Sequence, residues 1–399
     1  MKKAELVKEA LGRGNGIIKL SPCWVPRAFL VPGRRLKLAP KDLYALGSHR
    51  GGIDERWLAS TTNADNGPGT PGDEGLSYIV FENGGSVKKI LLKEAISLRG
   101  DLFLGRKVMG KHGGWMVLTK FFDNMGPIPF HVHQTDRQAK KVGRIGKPEA
   151  YYFPAQLNLI ENNFPFAFLG LEPGTTKQDV IRCLERWEQG DNGILDLSKA
   201  YRLRPGTGWG LPAGILHAPG SLVTYETQRA SDVSGLFQSM VEGRYISRDL
   251  LVKDVPQDKH NDLRYIAGML DWEANIDPNF KKNHYLEPRP AEGIVDEMKE
   301  KGYNEKRIIY GSDKFSAKEL TVFPGRTAEI RDSAAYGAVV IQGRGKIGRL
   351  DAETPAIIRY GELTNDEFFV TAEAAKTGIK ITNTGGQEDL VMLKHFGPE

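Results

Sequence analysis

Short runs of apolar, β-branched and aromatic residues recur along this 399-residue chain, each closed by glycine, proline, aspartate or asparagine. Residues 76–81, 115–122 and 222–227 are examples. Runs of this length and spacing predict strands of a sandwich or barrel. Helical patterns interrupt them. Residues 1–11 mix charges with apolar positions and predict a short amphipathic helix. Thr176 is placed as an N-cap with Asp179 at the capping-box position, and Val180, Ile181, Leu184 and Trp187 then form one apolar face that Gly190 ends. A second helix is expected over 262–272, before Asp277-Pro278. Residues 275–305 turn polar and charged, with Pro288 and Pro290, and read as a connector. Beyond it, 307–310, 317–322, 337–343, 379–383 and 389–393 form another string of strands. The expected organisation is therefore mainly β. A first unit spans 1–274 and includes an N-terminal extension and an inserted helix near 175–190; a connector and a second β unit over 306–399 follow. No short-period repeat or low-complexity segment appears.

The chemistry concentrates in Phe130-His131-Val132-His133-Gln134. Two histidines separated by one residue point to the same face of a strand, because strand side chains alternate with period two. Glu149 lies where the turn Gly146-Lys147-Pro148 runs into Ala150-Tyr151-Tyr152-Phe153. His217 closes a Pro/Gly turn, Pro212-Ala213-Gly214, leading into another short strand. Three imidazoles and one carboxylate suit a borderline divalent ion such as zinc, manganese, iron or nickel. A His-x-His pair also arises as surface decoration or as a hydrogen-bonded strand pair. With only 8 histidines in the chain, three placed beside such turns favour the metal site. The second β unit holds one histidine, His395, so no second site is expected there.

Composition narrows the partners. A net charge of +5 and a pI near 8.9 are mildly basic, but the cations are scattered among 50 acids, so no nucleic-acid stripe is formed. Cys23 and Cys183 make no disulfide framework and point to a reducing compartment, with Cys183 on the apolar side of its helix. The charged N-terminus lacks the apolar stretch of a signal peptide, and no run approaches membrane-spanning length. A cytoplasmic protein with a small-molecule partner, and neither nucleic acid nor membrane, is expected. The oligomeric state is left open.

His-x-His, a glutamate and a histidine after Pro-x-Gly together resemble the metal motifs of cupins, double-sheeted jelly rolls. Over most of its length the chain is similar to the type I mannose-6-phosphate isomerases, zinc-dependent two-cupin proteins that interconvert an aldose phosphate and a ketose phosphate. Glu55-Arg56-Trp57-Leu58-Ala59-Ser60 resembles their Glu-x-Trp-x-x-Ser motif, and Leu118-Thr119-Lys120-Phe121-Phe122-Asp123 the strand that carries an active-site lysine. Gly146-Lys147-Pro148-Glu149 resembles Gly-Lys-x-Glu, Gly170–Thr176 the lead into the inserted helix, and Leu211–Ala218 the second metal motif. Glu226-Thr227-Gln228 through Asp232 resembles the strand that follows. The resemblance implies two cupin domains and metal ligands at His131, His133, Glu149 and His217. It also implies that Lys120, Lys147, Glu226 and Asp232 line the pocket. Two departures stand out. The family has glutamine at the position of His131, and an arginine four residues after the aspartate, where this chain has Leu236. Arg229, Arg244 and Arg248 are nearby substitutes.

Aldose–ketose isomerisation moves a proton between adjacent carbons while charge builds on oxygen, which a divalent ion and a positioned base both assist. Lys120, Lys147 and Glu226 are the candidate bases, the lysines on condition that burial draws them toward neutrality. Asp232 is expected to orient a donor or to cap a turn. Tyr151, Tyr152, Trp209 and Phe130 offer faces for a sugar ring or fill the barrel. Losing the arginine points to an unphosphorylated sugar or a rearranged phosphate site. The competing readings are a cupin oxygenase using the same ligands and a sugar-binding bicupin without catalysis.

Overall fold

Alternation of side chains along the strands sorts the chain into four large antiparallel sheets and two two-stranded ones, seen in a computed structural model that describes residues 3–291 and 293–399. The first sandwich pairs a seven-stranded with a five-stranded sheet. The seven-stranded sheet runs Tyr285–Leu286, Gly208–Leu211, Glu149–Tyr152, Thr224–Arg229, Val117–Phe122, Gly52–Leu58, Cys23–Arg27. The five-stranded sheet runs Ala200–Arg202, Phe166–Leu169, Leu216–Ala218, His131–Val132, Gly235–Leu236. Phe122, Tyr151, Leu169, Trp209 and Leu211 fill part of the space between them. The second sandwich sets a seven-stranded sheet (Ile17–Lys19, Glu367–Val370, Tyr336–Gln342, Leu390–Phe396, Ser316–Val322, Tyr303–Ile309, Arg289–Pro290) against four strands between Thr327 and Asn383. Leu320, Ile330, Val340, Phe368 and Ile381 are in its core. The architecture is the expected one: mainly β, two jelly-roll-like sandwiches with inserted and connecting helices.

The two seven-stranded sheets stand back to back. Phe121, Ala150, Tyr152 and Tyr225 from the first join Ile308, Ala317, Val339 and Leu393 from the second in one buried cluster. Period-two alternation then turns Lys120, Glu149 and Glu226 to the opposite face, into the first sandwich. The N-terminal strand Ile17–Lys19 crosses over to pair with Glu367–Val370 in the second sandwich.

The inserted helix Lys177–Glu185 begins as its sequence dictates: the Thr176 hydroxyl accepts from the Asp179 amide while the Asp179 carboxylate accepts from Thr176. It tightens into a 3₁₀ turn, Trp187–Gln189, and stops at Gly190, where φ is +101°. The single helix expected over 262–272 is two short ones, Leu263–Ala267 and Trp272–Asn275. Asp262 and Asp271 each cap a fresh start, so capping chemistry divides what apolar spacing would have joined. The connector is structured as well. It holds the helices Phe280–His284 and Val295–Glu300 and two strands, one on an edge of each seven-stranded sheet. Among the described residues no helix is long and apolar enough to cross a membrane.

One buried ion pair ties the sandwiches together beside the site. Along Gly52–Leu58, Glu55 points into the first sandwich, and Arg56 points back to meet Asp366 at 2.7 and 2.8 Å and Glu367 at 3.0 Å. Burial pushes the Glu367 carboxyl up to about 7 against the pull of Arg56. Arg56→Met strands both acids, and removing one partner of such a buried pair costs about 3–5 kcal/mol. Urea denaturation at neutral pH is expected to register that loss, shrinking in acid as Glu367 protonates. An unchanged midpoint would refute it.

Candidate metal centre and its buried charge chain

Strand register brings the site residues together from both sheets of the first sandwich. In the five-stranded sheet His217 lies directly opposite His131, and Leu236 flanks His131 on the other side. Gly214, at φ +96°, makes the turn that delivers His217; its amide donates to the His133 carbonyl at 2.8 Å. In the facing sheet Glu226 lies opposite Lys120 on one side and Tyr151 on the other.

The three imidazoles are buried and clustered, with ring centroids 4.1 to 5.0 Å apart and one nitrogen from each within 4.8 Å of the others. Every Nδ1 meets a backbone carbonyl: His131 that of Pro129 at 2.7 Å, His133 that of Val233 at 2.7 Å, His217 that of Ile215 at 2.9 Å. A carbonyl can only accept, so each Nδ1 carries the hydrogen and each Nε2 presents a lone pair to the interior. Burial, then its two neighbouring imidazoles, holds His131 well below the ordinary histidine range; burial, then Lys147, brings His133 to about 4. Both rings are neutral at pH 7, the form in which imidazole ligates metal.

Glu149 reaches the cluster from the opposite sheet. Its Oε2 is 3.0 Å from His133 Nε2 and its Oε1 2.9 Å from His217 Nε2; it is not within ion-pair distance of His131. Although enclosed, His217 Nε2 has no hydrogen-bond partner, and Glu149 Oε2 has only its ion pair with Lys147. Lone pairs facing one another in a dry site are costly unless a cation lies between them, so this N₃O donor set fits a divalent ion. Lys147 crowds the same place, with Nζ 2.8 Å from His133 Nε2 and 2.9 Å from Glu149 Oε2. A cation held there and this ammonium would compete for the same lone pairs. Burial opposes ionisation of Glu149, but its charged neighbours, Lys147 foremost, hold the carboxyl well below its usual range.

From Glu149 a chain of alternating charge runs along the floor of the cavity. Lys147 lies 3.3 Å from Glu226, Glu226 lies 3.5 Å from Lys120, and Lys120 lies 3.1 Å from Glu55. Arg27 closes it, 3.2 Å from Glu55 and 3.4 Å from Asp232. All are buried except Asp232, which is partly exposed at the end of the row. The condition for Lys120 to act as a base, that burial draw it toward neutrality, is not met. Burial lowers it, but Glu226 and Glu55 outweigh burial and hold it firmly protonated. Burial, followed by the nearby Glu149, pushes Glu226 up to about 7 against both lysines. Arg27, with Lys253 and the two lysines, overcomes burial to keep Asp232 ionised.

The cavity above the chain has a volume of about 630 Å³ and is lined by His131, His133, Lys120, Lys147, Glu226, Asp232 and Leu236 among others. Arg229, Arg244 and Arg248 do not line it: Arg229 pairs with Asp136, Arg244 with Glu242, and Arg248 donates to the His260 carbonyl. Arg27, Arg50 and Arg144 line it instead; Arg27, part of the charge chain, was missed in the sequence, as was any role for Glu55. Their signal was charge within strands otherwise fit for burial: Cys23–Arg27 and Gly52–Leu58 are buried at every position. Of the four aromatics considered, only Tyr151 lines the cavity, donating its hydroxyl to Glu149. Tyr152 turns back to Glu319, and Trp209 and Phe130 fill cores.

A carboxyl raised from 4.5 to about 7 binds more protons folded than unfolded between those values. Its contribution is therefore complete below about 4.5 and is lost as pH rises through 7. In metal-free protein Glu226→Gln is expected to gain stability relative to wild type across that window, by on the order of 1 kcal/mol for each pH step of one crossed. Paired denaturant titrations at several pH values check this; a constant difference would rule it out.

No family model and no curated protein sequence matches the chain. Solved structures do. A provisionally named mannosephosphate isomerase from Archaeoglobus fulgidus superposes with TM-score 0.62 at 16% identity, covering 96% of this chain and 98% of that one. The mannose 6-phosphate isomerase of Bacillus subtilis gives TM-score 0.59 at 18% identity, over 96% and 99%. A zinc-bound mannose 6-phosphate isomerase gives 0.60 at 15% identity, over 96% and 100%. Over nearly its whole length the chain has the fold of these isomerases.

Proposed function

We propose that this protein is a metal-dependent aldose–ketose isomerase acting on a sugar or sugar phosphate, with His131, His133, Glu149 and His217 holding the ion and zinc as its identity. The observation that carries the reading is the meeting of three imidazoles, each with Nδ1 against a main-chain carbonyl, and a buried carboxylate at one end of a chain of acids and bases. When bound, the ion polarises the sugar carbonyl and offsets the negative charge that builds on oxygen.

The remaining steps belong to the chain's own groups. Glu226, between two lysines and poised near neutrality, takes the proton from one carbon and returns it to the next. Lys120 stays cationic beside it, and both lysines donate to the sugar oxygens. Asp232 and Arg27 fix the far end of the row through Glu55, so that Lys120 keeps its orientation. Leu236 covers the His131 side of the cavity with apolar surface. Cations this close to the centre favour chemistry that builds an oxyanion, which favours isomerisation over oxygenation of a substrate by dioxygen.

Elemental analysis followed by a ketose-formation screen over aldoses and their phosphates tests the proposal. One equivalent of a divalent metal and turnover indifferent to dioxygen are expected, whereas turnover only with dioxygen would overturn it. Metal bound without turnover of any sugar would leave a binding protein instead. His217→Ala and Glu149→Ala are each expected to lose metal and activity together; retention of full metal by both would refute the ligand set. Lys147→Ala is expected to keep its metal, bound as tightly or more tightly, while turnover falls. Glu226→Gln, metal intact, is expected to lose about 10²–10⁴ in kcat, the range of a general base. Near-normal kcat would remove Glu226 from that role.

A further inference from the structure

Six basic and six acidic side chains line the cavity, and each base already has an acid beside it. Arg27 pairs with Glu55 and Asp232, Lys120 with Glu55 and Glu226, and Lys147 with Glu149 and Glu226. Nearer the mouth Arg50 pairs with Glu74 at 2.8 Å, while Arg144 and Lys253 share Asp65, both at 3.4 Å. Asp249 and Asp254 add further carboxylates to the lining.

A phosphate ester carries between one and two negative charges at neutral pH and is held by charge-assisted donors, above all by free guanidinium or ammonium groups. Taking such an ester to the floor of this cavity, beside the metal centre, would pull Arg27, Lys120 or Lys147 from its acid and leave that acid uncompensated in a buried place, which is strongly unfavourable. A divalent ion held by Glu149 adds only one net charge, at the centre where the carbonyl end of a sugar belongs. Neutral sugar hydroxyls make the opposite demand. Each donates one hydrogen and accepts up to two, and a wall of alternating carboxylates and ammonium groups offers both partners at short spacing. We infer that the site takes free, unphosphorylated aldoses and ketoses, and that charge balance in its lining is what discriminates against their phosphate esters. This rests on the isomerase reading and specifies its substrate class.

The test uses full-length, metal-loaded protein with free aldohexoses and aldopentoses and with their terminal phosphates. Ketose formation and equilibrium binding by calorimetry are measured separately. The free sugars are expected to lead their esters by at least about tenfold in both kcat/KM and affinity, corresponding to about 1.4 kcal/mol. Their kcat/KM is expected to hold steady from low to high salt, since no long-range steering of an anion is involved, and inorganic phosphate is expected not to compete. Turnover with the esters preferred overturns the inference and leaves the isomerase reading in place. Turnover of neither class overturns the isomerase reading, and binding then decides the charge argument. Tighter binding of free sugars sustains it; tighter binding of esters, or binding of neither class, refutes it.

Discussion

The central constraint is the double duty of one seven-stranded sheet. Its back is a dry seam against the second sandwich, packed with Phe121, Ala150, Tyr152 and Tyr225, and its front carries Lys120, Glu149 and Glu226. Because side chains alternate strictly along a strand, these two sets are interleaved residue by residue. A one-residue slip of any strand would bury charge in the seam and turn tyrosine or phenylalanine into the cavity. The apolar seam therefore sets the register of the polar face, and with it the pairing of Glu226 across Lys120.

That polar face is expensive to bury. Acids and bases enclosed together gain little stability over a well-packed apolar wall, and often none. A row of them in one cavity is better understood as a device for setting protonation states. Here it separates otherwise similar groups: Lys120 is held charged, Glu226 is held near its midpoint at neutral pH, and His131 and His133 are held neutral. A charged lysine, a carboxyl near its midpoint and neutral imidazoles thus coexist a few ångströms apart.

Much of this was legible in the sequence, and the reasons are local. His131 and His133 share a face because of period two, Thr176 and Asp179 reveal a capping box, and the strands announce themselves by β-branched runs between turns. What was not legible depends on tertiary packing. Arg27 lies about two hundred residues from Asp232, and nothing in either segment alone names the other. Lys120 looked like a base because burial alone would lower its pKa; only the fold shows the two carboxylates that reverse the effect. The helix expected over 262–272 failed at Asp271, where a side-chain cap outweighed apolar spacing.

The carbonyl partners of the three Nδ1 atoms carry one more implication. In many small metal-binding domains the ion itself organises the ligands, and the unloaded chain falls apart. Here the imidazole orientations are imposed by main-chain oxygens of the sandwich, whether or not an ion is present. Chelation should then empty the centre while the scaffold survives, and added cation should restore it at once. A cation bound there would meet donors already oriented by the main chain.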